Sequence, residues 1–296
     1  MSNKPVAVYG LGNMGYLVAQ RIAKHFPTKV ADLDTAQVQR ARDSFAAQPI
    51  ADPKDVSDVH AIVLCLPSPA ASQNVLKQIA PHLSPDTIVL ETSTVNPDDI
   101  HASQKILTPF GLRIVDASIL AGVSQMEAGT ATLLLGGDES DIATTQSVLN
   151  AITEKQIYFG PSGAGAAAKV INNAVAHAVM VVVAEAGALA TASGVSCEKL
   201  ISLLADPQMG LHRPLTHRYA ERILGNNYAG GMPLDAARKD STLALELAQS
   251  LGVPMFAIQG SHTIYEIASA AGYGRDDYAA IAKVWADWGK PTVPAQ

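Results

Sequence analysis

The feature that most constrains this chain is Gly10-Leu11-Gly12-Asn13-Met14-Gly15, which follows the apolar run Val6 to Tyr9 and opens a helical pattern. A G-x-G-x-x-G between a strand and a helix gives each glycine a physical task. The first permits the tight turn, the second lets the backbone approach a pyrophosphate, and the third lets the helix pack closely on the strand. The unpaired N–H groups at the start of the helix add a partial positive charge for the phosphates. The expectation is a βαβ dinucleotide-binding unit, with Gly10, Leu11, Gly12, Asn13, Met14 and Gly15 around the cofactor.

A helix over Gly15 to His25 leads to a second strand, Lys29 to Ala31, which ends at Asp32. A carboxylate there accepts hydrogen bonds from both ribose hydroxyls of NAD and repels the extra phosphate of NADP. No arginine follows at once to receive that phosphate; Arg40 and Arg42 come later, on a helix. The alternative is a surface aspartate beside the turn that contains Asp34. The expected cofactor is NAD.

Further strands are read at Ala61 to Leu66, Thr87 to Leu90, Arg113 to Val115 and Thr132 to Leu135, alternating with helix-like segments. Pro67 and Pro69 close the AIVLCL strand, since proline cannot donate to a central ladder. Strands joined by crossover helices give a mostly parallel sheet covered on both faces. After Gly165 the pattern becomes helical: Ala166 to Ser193, Cys197 to Leu204, Leu215 to Arg222, Leu234 to Ser250, Met255 to Ala271 and Tyr278 to Asp287. The fold class expected is α/β, an N-terminal Rossmann-like doubly wound sheet followed by an all-helical C-terminal domain. The domains are residues 1–162 and 163–296, divided in the glycine-rich run GPSGAG.

At 296 residues the chain is long for a single core, and 48% hydrophobic with 16% charged residues suits a globular enzyme. A net charge of -6, without a Lys/Arg cluster, argues against a nucleic-acid partner. Cys65 and Cys197 lie far apart and lack metal-ligand spacing, so no metal site and a reducing compartment are expected. The beginning MSNKPVAVYGLG has no signal-peptide pattern. The apolar stretch Ala164 to Ala192 carries Lys169, Asn172, Asn173, His177 and Glu185, a polar load read as too high for a membrane span. The expected setting is the cytoplasm, without a membrane partner.

Within that stretch, at about 100° per residue, Lys169, Asn173 and His177 follow one another up one side, with Asn172 beside Lys169. Their neighbours are mostly alanine, valine and isoleucine. A helix apolar on most faces is expected to be buried, which would put the polar stripe against a cavity or an interface. Desolvation favours a neutral lysine, able to exchange a proton with a substrate hydroxyl. The same pattern suits a lysine whose stem packs while its head reaches solvent. The pattern alone leaves both readings open.

The order of motifs then resembles the β-hydroxyacid dehydrogenase family, which includes 3-hydroxyisobutyrate, tartronate semialdehyde and 6-phosphogluconate enzymes. The resemblance covers nearly the whole chain. Its motifs are GLGNMG at Gly10 to Gly15, Ser93-Thr94-Val95-Asn96-Pro97, and Asp116-Ala117-Ser118-Ile119-Leu120-Ala121-Gly122 followed by Ala128-Gly129-Thr130. GAGAAAKVINN at Gly163 to Asn173 and Lys239-Asp240-Ser241-Thr242-Leu243-Ala244 complete the set.

The resemblance implies Lys169 as catalytic acid/base with Asn173 as its companion on the substrate. It implies Ser118, Leu120, Ala121, Gly122 and Asn172 along the substrate, with the Gly122 N–H offered to a carboxylate. Leu66, Pro67, Thr94 and Lys239 would join the glycine loop and Asp32 around the cofactor. The reaction implied is hydride transfer between NAD and a small 3-hydroxy acid, or reduction of the matching semialdehyde. Asn172, where the decarboxylating branch tends to carry histidine, points to simple dehydrogenation.

Leu120 and Ala121 depart from the serine and glycine usual in the third motif and remove a polar handle for the carboxylate. His212 and Arg213 are candidate replacements, with ordinary surface residues as the alternative. The same departure keeps two other readings open, an imine reductase-like enzyme and a non-catalytic NAD-binding regulatory protein. Lys169 argues against the imine reductases, in which that lysine is typically replaced. The apolar C-terminal helices suggest a homodimer or homotetramer.

Overall fold

The computed structural model describes residues 4–288. The chain forms two compact units, the first ending at Ala174 and the second beginning at Val175. The sequence-derived boundary at 162/163 lies in the turn before a long helix, α7 (Ala164–Ala192), whereas the two units divide inside that helix. The reason is local: Ala166, in the first turn, is fully buried with the sheet's apolar residues.

In the first unit the strands are β1 (Val6–Tyr9), β2 (Thr28–Ala31), β3 (Gln48–Pro49) and β4 (Ala61–Leu64). They continue as β5 (Ile88–Glu91), β6 (Arg113–Leu120), β7 (Thr132–Gly136) and β8 (Gln156–Tyr158). They form one sheet in the order β3-β2-β1-β4-β5-β6-β7-β8. Neighbours run parallel except β6 and β7, which are antiparallel. The order reverses between β1 and β4, and in open α/β sheets ligands bind at such a switch point, beyond the strands' carboxyl ends.

The sheet is buried on both sides, which is why its central strands read as unbroken apolar runs. Val6 and Val8 face a core with Ile22 of α1 (Asn13–Ile22) and Val148 of α6 (Glu139–Ile152). Ala7 and Tyr9 point the other way. They face Leu76 of α3 (Pro69–Ile79) and Ile100 of α4 (Pro97–Leu107), while α2 (Thr35–Phe45) follows β2 and α5 (Val123–Glu127) follows β6. Each fully buried Val, Leu or Ile contributes about 1.5–3 kcal/mol, so the two-sided core supplies the main driving force.

The elements differ from the sequence reading mainly at their ends. β6 runs on to Leu120 instead of stopping at Val115, and β4 stops at Leu64. The short strands β3 and β8 carry no alternating pattern long enough to read. The glycine-loop helix starts at Asn13, so Gly15 lies within it.

Among its described residues the second unit is helical, with one isolated bridge, Pro233 to Asp277, outside the helices. Beyond α7 it holds α8 (Cys197–Ala205), a π-type helix over Pro214–Ile223, α9 (Leu234–Ser250), α10 (Phe256–Ala268) and α11 (Ala282–Trp288). Leu234, Ala268, Ala280 and Val284 form its small core. Asp277, fully buried, receives Arg218 at 3.2 Å and Arg222 at 3.5 Å. Glu185 accepts the backbone N–H groups of Ala257 and Ile258 at 2.7 and 3.0 Å and so caps the start of α10. Those donors hold its carboxyl below the usual glutamate range, against the opposing pull of desolvation.

The expectation that α7 is buried requires correction: Ile171, Val175 and Met180 are 63%, 58% and 63% exposed. Its faces are apolar, and the described residues leave them largely uncovered. By length and composition alone α7 is apolar enough to cross a membrane, with a mean hydropathy of 1.8 over its most apolar stretch, so its polar residues do not by themselves exclude a span.

Candidate active site

A cleft of about 770 Å³ lies where β1, β4 and β5 end, on the switch point. Its lining runs from Leu33, Ile50 and Pro53 past the glycine loop and Asp32 to Leu66, Pro67, Thr94, Ala121 and Lys169.

The loop is shaped by close approach. Gly10 has φ +94°, and a side chain there would strike the Cys65 carbonyl. A Cβ on Gly15 would collide with the Gly10 carbonyl, so α1 sits directly on the turn. Gly12 is different: no protein atom lies within 4 Å of where its Cβ would be. The missing side chain there leaves space for something outside the protein, as a pyrophosphate requires. The cleft, the open Gly12 and the adjacent helix start fit a dinucleotide.

Asp32 lines the cleft and also braces it. Its Oδ2 accepts the Leu11 N–H at 2.5 Å, and its Oδ1 accepts the Asp34 N–H at 2.8 Å. An ionised carboxylate has about four acceptor positions, so capacity for ribose hydroxyls remains. Leu33, beside it, is fully exposed on the cleft rim. With Ile50 and Pro53 it offers an apolar surface that the sequence reading missed, because a lone leucine after a strand carries no pattern.

Beside the glycine loop the cleft wall rests on a chain of hydrogen bonds. The Leu66 N–H donates to Ser93 Oγ at 2.8 Å, and the Ser93 N–H donates to Glu91 Oε1 at 3.0 Å. Thr94, exposed, follows this pinned segment into the cleft. Glu91 is 1% exposed, and desolvation raises its carboxyl above the usual range. Cys65 is pushed up to about 11, again chiefly by burial, and is an inert thiol rather than a nucleophile. Glu91 was also missed, since one acid at a strand end resembles any surface acid.

Lys169 lines the same cleft, 9% exposed, with no hydrogen bond or ion pair among the described residues. Desolvation lowers its pKa. An ammonium without a counter-ion in such a place is poised to lose its proton.

The other expected substrate residues are distributed more widely. Ala121 lines the cleft, and Leu120 is half-buried. Ser118 is buried, and its hydroxyl has no hydrogen-bond partner among the described residues. The Gly122 N–H, expected to meet a carboxylate, donates to Gln125 Oε1 at 2.8 Å. Asn173 is half-buried and Asn172 exposed; neither is among the cleft-lining residues. Lys239, in the second unit, is exposed and pairs with Asp240 at 3.0 Å. His212 and Arg213 are exposed in the same unit. No cluster of metal-ligating side chains is present among the described residues.

Fold and cleft together define a dinucleotide-binding protein of the doubly wound class. Residues 5–160 match the model of the NAD binding domain of 6-phosphogluconate dehydrogenase. Residues 163–285 match the model described as NAD-binding of NADP-dependent 3-hydroxyisobutyrate dehydrogenase. The chain belongs to the β-hydroxyacid dehydrogenase family of oxidoreductases, and NAD is its cofactor.

Among its relatives, 2-(hydroxymethyl)glutarate dehydrogenase of Eubacterium barkeri is 29% identical, over 95% of this chain and 94% of that one. The NAD-dependent L-serine dehydrogenase of Pseudomonas aeruginosa is also 29% identical, over 95% and 98%. Among solved structures, an imine reductase of Streptomyces aurantiacus superposes with a TM-score of 0.85 at 19% identity, covering 95% of this chain and 99% of that one. At that identity the likeness is one of fold.

Proposed function

We propose that the protein transfers a hydride between NAD and a small 3-hydroxy acid, or reduces the matching semialdehyde, without decarboxylation. Lys169 is its general acid/base. The observation that carries this reading is Lys169 itself: nearly buried, unpaired among the described residues, and in one cleft with the glycine loop and Thr94. The names of the relatives, two dehydrogenases of hydroxylated acids, support the substrate class.

Gly10 to Gly15 would hold the pyrophosphate of the nicotinamide cofactor, which would supply the hydride chemistry when bound. Asp32 receives the adenine ribose and disfavours a phosphorylated one, so NAD is preferred to NADP. Lys169 in its neutral form takes the hydroxyl proton during oxidation, and in its charged form returns it during reduction. Thr94, held by the Glu91–Ser93–Leu66 hydrogen bonds, orients the nicotinamide end. Ala121 and Leu120 give the acid an apolar wall in place of a hydroxyl.

The exposed apolar faces of α7, together with Leu203, Leu215 and Leu247 of the second unit, support assembly as a homodimer or homotetramer. Sedimentation equilibrium tests this, and a monomer at micromolar concentration removes it.

The deciding experiment is NADH formation from NAD with a panel of 3-hydroxy acids, alongside Lys169→Ala. Turnover that disappears in the variant establishes the class and the acid/base together. No turnover on any acid, with NAD still bound, rejects the dehydrogenase reading.

A further inference from the structure

A carboxylate that takes no part in the proposed chemistry grips the first turn of the lysine helix. Asp116, midway along β6, is fully buried. Its Oδ1 accepts the Gly163 N–H at 3.0 Å, and its Oδ2 accepts the Ala166 N–H at 2.9 Å. Lys169 follows Ala166 by three residues, close to one helical turn.

The first N–H groups of a helix need an acceptor, and an N-terminal capping residue normally supplies it. Here no local side chain does, although the Pro161 carbonyl accepts the Ala164 N–H at 2.9 Å. Gly163 has no side chain, and the buried Ser162 hydroxyl makes no hydrogen bond among the described residues. The cap comes instead from a strand 47 and 50 residues earlier. A local cap stabilises a helix wherever it lies; a cap from the sheet also fixes where it lies.

The packing around this contact leaves little room for sliding. A Cβ on Gly165, between the two donors, would lie 2.5 Å from the Leu134 carbonyl oxygen and 2.8 Å from the Gly136 nitrogen. A Cβ on Gly136 would strike Asp116 itself. Helix start, β6 and β7 therefore meet backbone to backbone, with the Asp116 carboxylate as the polar link.

We propose that Asp116 is the positioning residue for Lys169, tying the first turn of α7 to β6 so that the amine is held at the cleft. This rests on the reading of Lys169 as acid/base. A displacement of about 1 Å can lower a rate by about a hundredfold, which gives such a tie kinetic weight.

The test is a cycle of Asp116→Asn, Lys169→Ala and the double variant, assayed with L-serine and 3-hydroxyisobutyrate. Rates are normalised to sites titrated with NADH. Asp116→Asn is expected to lower kcat at least tenfold with KM for NAD unchanged, and to add no further loss to Lys169→Ala. Gly165→Ala keeps the carboxylate but lifts the helix start, and is expected to behave alike if Asp116→Asn does not fold. Independently of turnover, the NMR titration of 13C-methylated Lys169 is expected to move toward that of exposed lysines in either variant.

An unchanged kcat, losses that multiply across the cycle, or an unmoved Lys169 titration overturns the proposal. Full activity of Lys169→Ala instead overturns the acid/base reading, a separate result.

Discussion

The Asp32 carboxylate accepts the backbone N–H of Leu11, so the acid after β2 holds the glycine loop that follows β1. On the proposed function, cofactor choice and loop shape depend on one side chain. Asp32→Ala removes a charge-assisted hydrogen bond worth about 1.5–3 kcal/mol, together with the ribose contact. KM for NAD is expected to rise about 10- to 100-fold, and the preference for NAD over NADP to shrink. Catalytic efficiencies measured with both cofactors check this; a wild-type preference for NADP removes the role given to Asp32.

The glycines of the loop divide by what surrounds them. Gly12, with φ -61° and open space around its Cβ position, tolerates alanine in the folded chain. Gly12→Ala is therefore expected to melt like the wild type, while the added methyl raises KM for NAD by about tenfold or more. Gly15→Ala drives a methyl into the Gly10 carbonyl. Overpacking of about 1–3 kcal/mol outweighs the better helix propensity of alanine, and Tm is expected to fall. Thermal melts and cofactor kinetics on the pair separate a space kept for a ligand from one kept for packing.

What the sequence discloses follows from the range of each interaction. The shared place of Gly10, Gly12, Gly15 and Asp32 in one cleft is legible because they lie close in sequence, around the end of one βαβ unit. β6 was cut short at Val115 because Asp116 and Ser118 put polar side chains where a buried strand is expected to be apolar. Asp116 earns its burial from two donors near residue 165, a contact that no local pattern encodes. α7 differs in the opposite way: its composition describes a buried helix, while its burial depends on neighbours that the described residues do not provide. Glu91 and Ser93 likewise support the cleft from within, through hydrogen bonds that only the sheet register creates.

Glu91 makes stability depend on pH. Desolvation raises its folded pKa, so the folded chain binds a proton more readily than the unfolded one. The resulting stabilisation is complete below the ordinary glutamate range and is lost as pH rises through the raised value. Glu91→Gln keeps an acceptor for the Ser93 N–H and removes the titration. As pH rises from the ordinary glutamate range through the raised value, wild-type Tm is expected to fall relative to the variant. Parallel melts across that range measure it, and a constant difference means that Glu91 does not titrate with folding.

Lys169 is coupled to pH in the opposite sense, and in two observables. Burial lowers its pKa, so the unfolded chain binds the proton more tightly, and the penalty for holding an ammonium is complete below the folded pKa. It is relieved as pH rises from that value toward the ordinary lysine range. Lys169→Met, which fills similar space without charge, is expected to melt above the wild type near neutrality, with the gap closing at alkaline pH. In the wild type, oxidation requires the neutral amine and rises with pH, whereas reduction requires the ammonium and falls. Both rate profiles are expected to share one midpoint below the ordinary lysine range, within the window where the melting gap closes. Rates that rise with pH in both directions, or a melting gap that does not depend on pH, would separate the buried amine from the chemistry assigned to it.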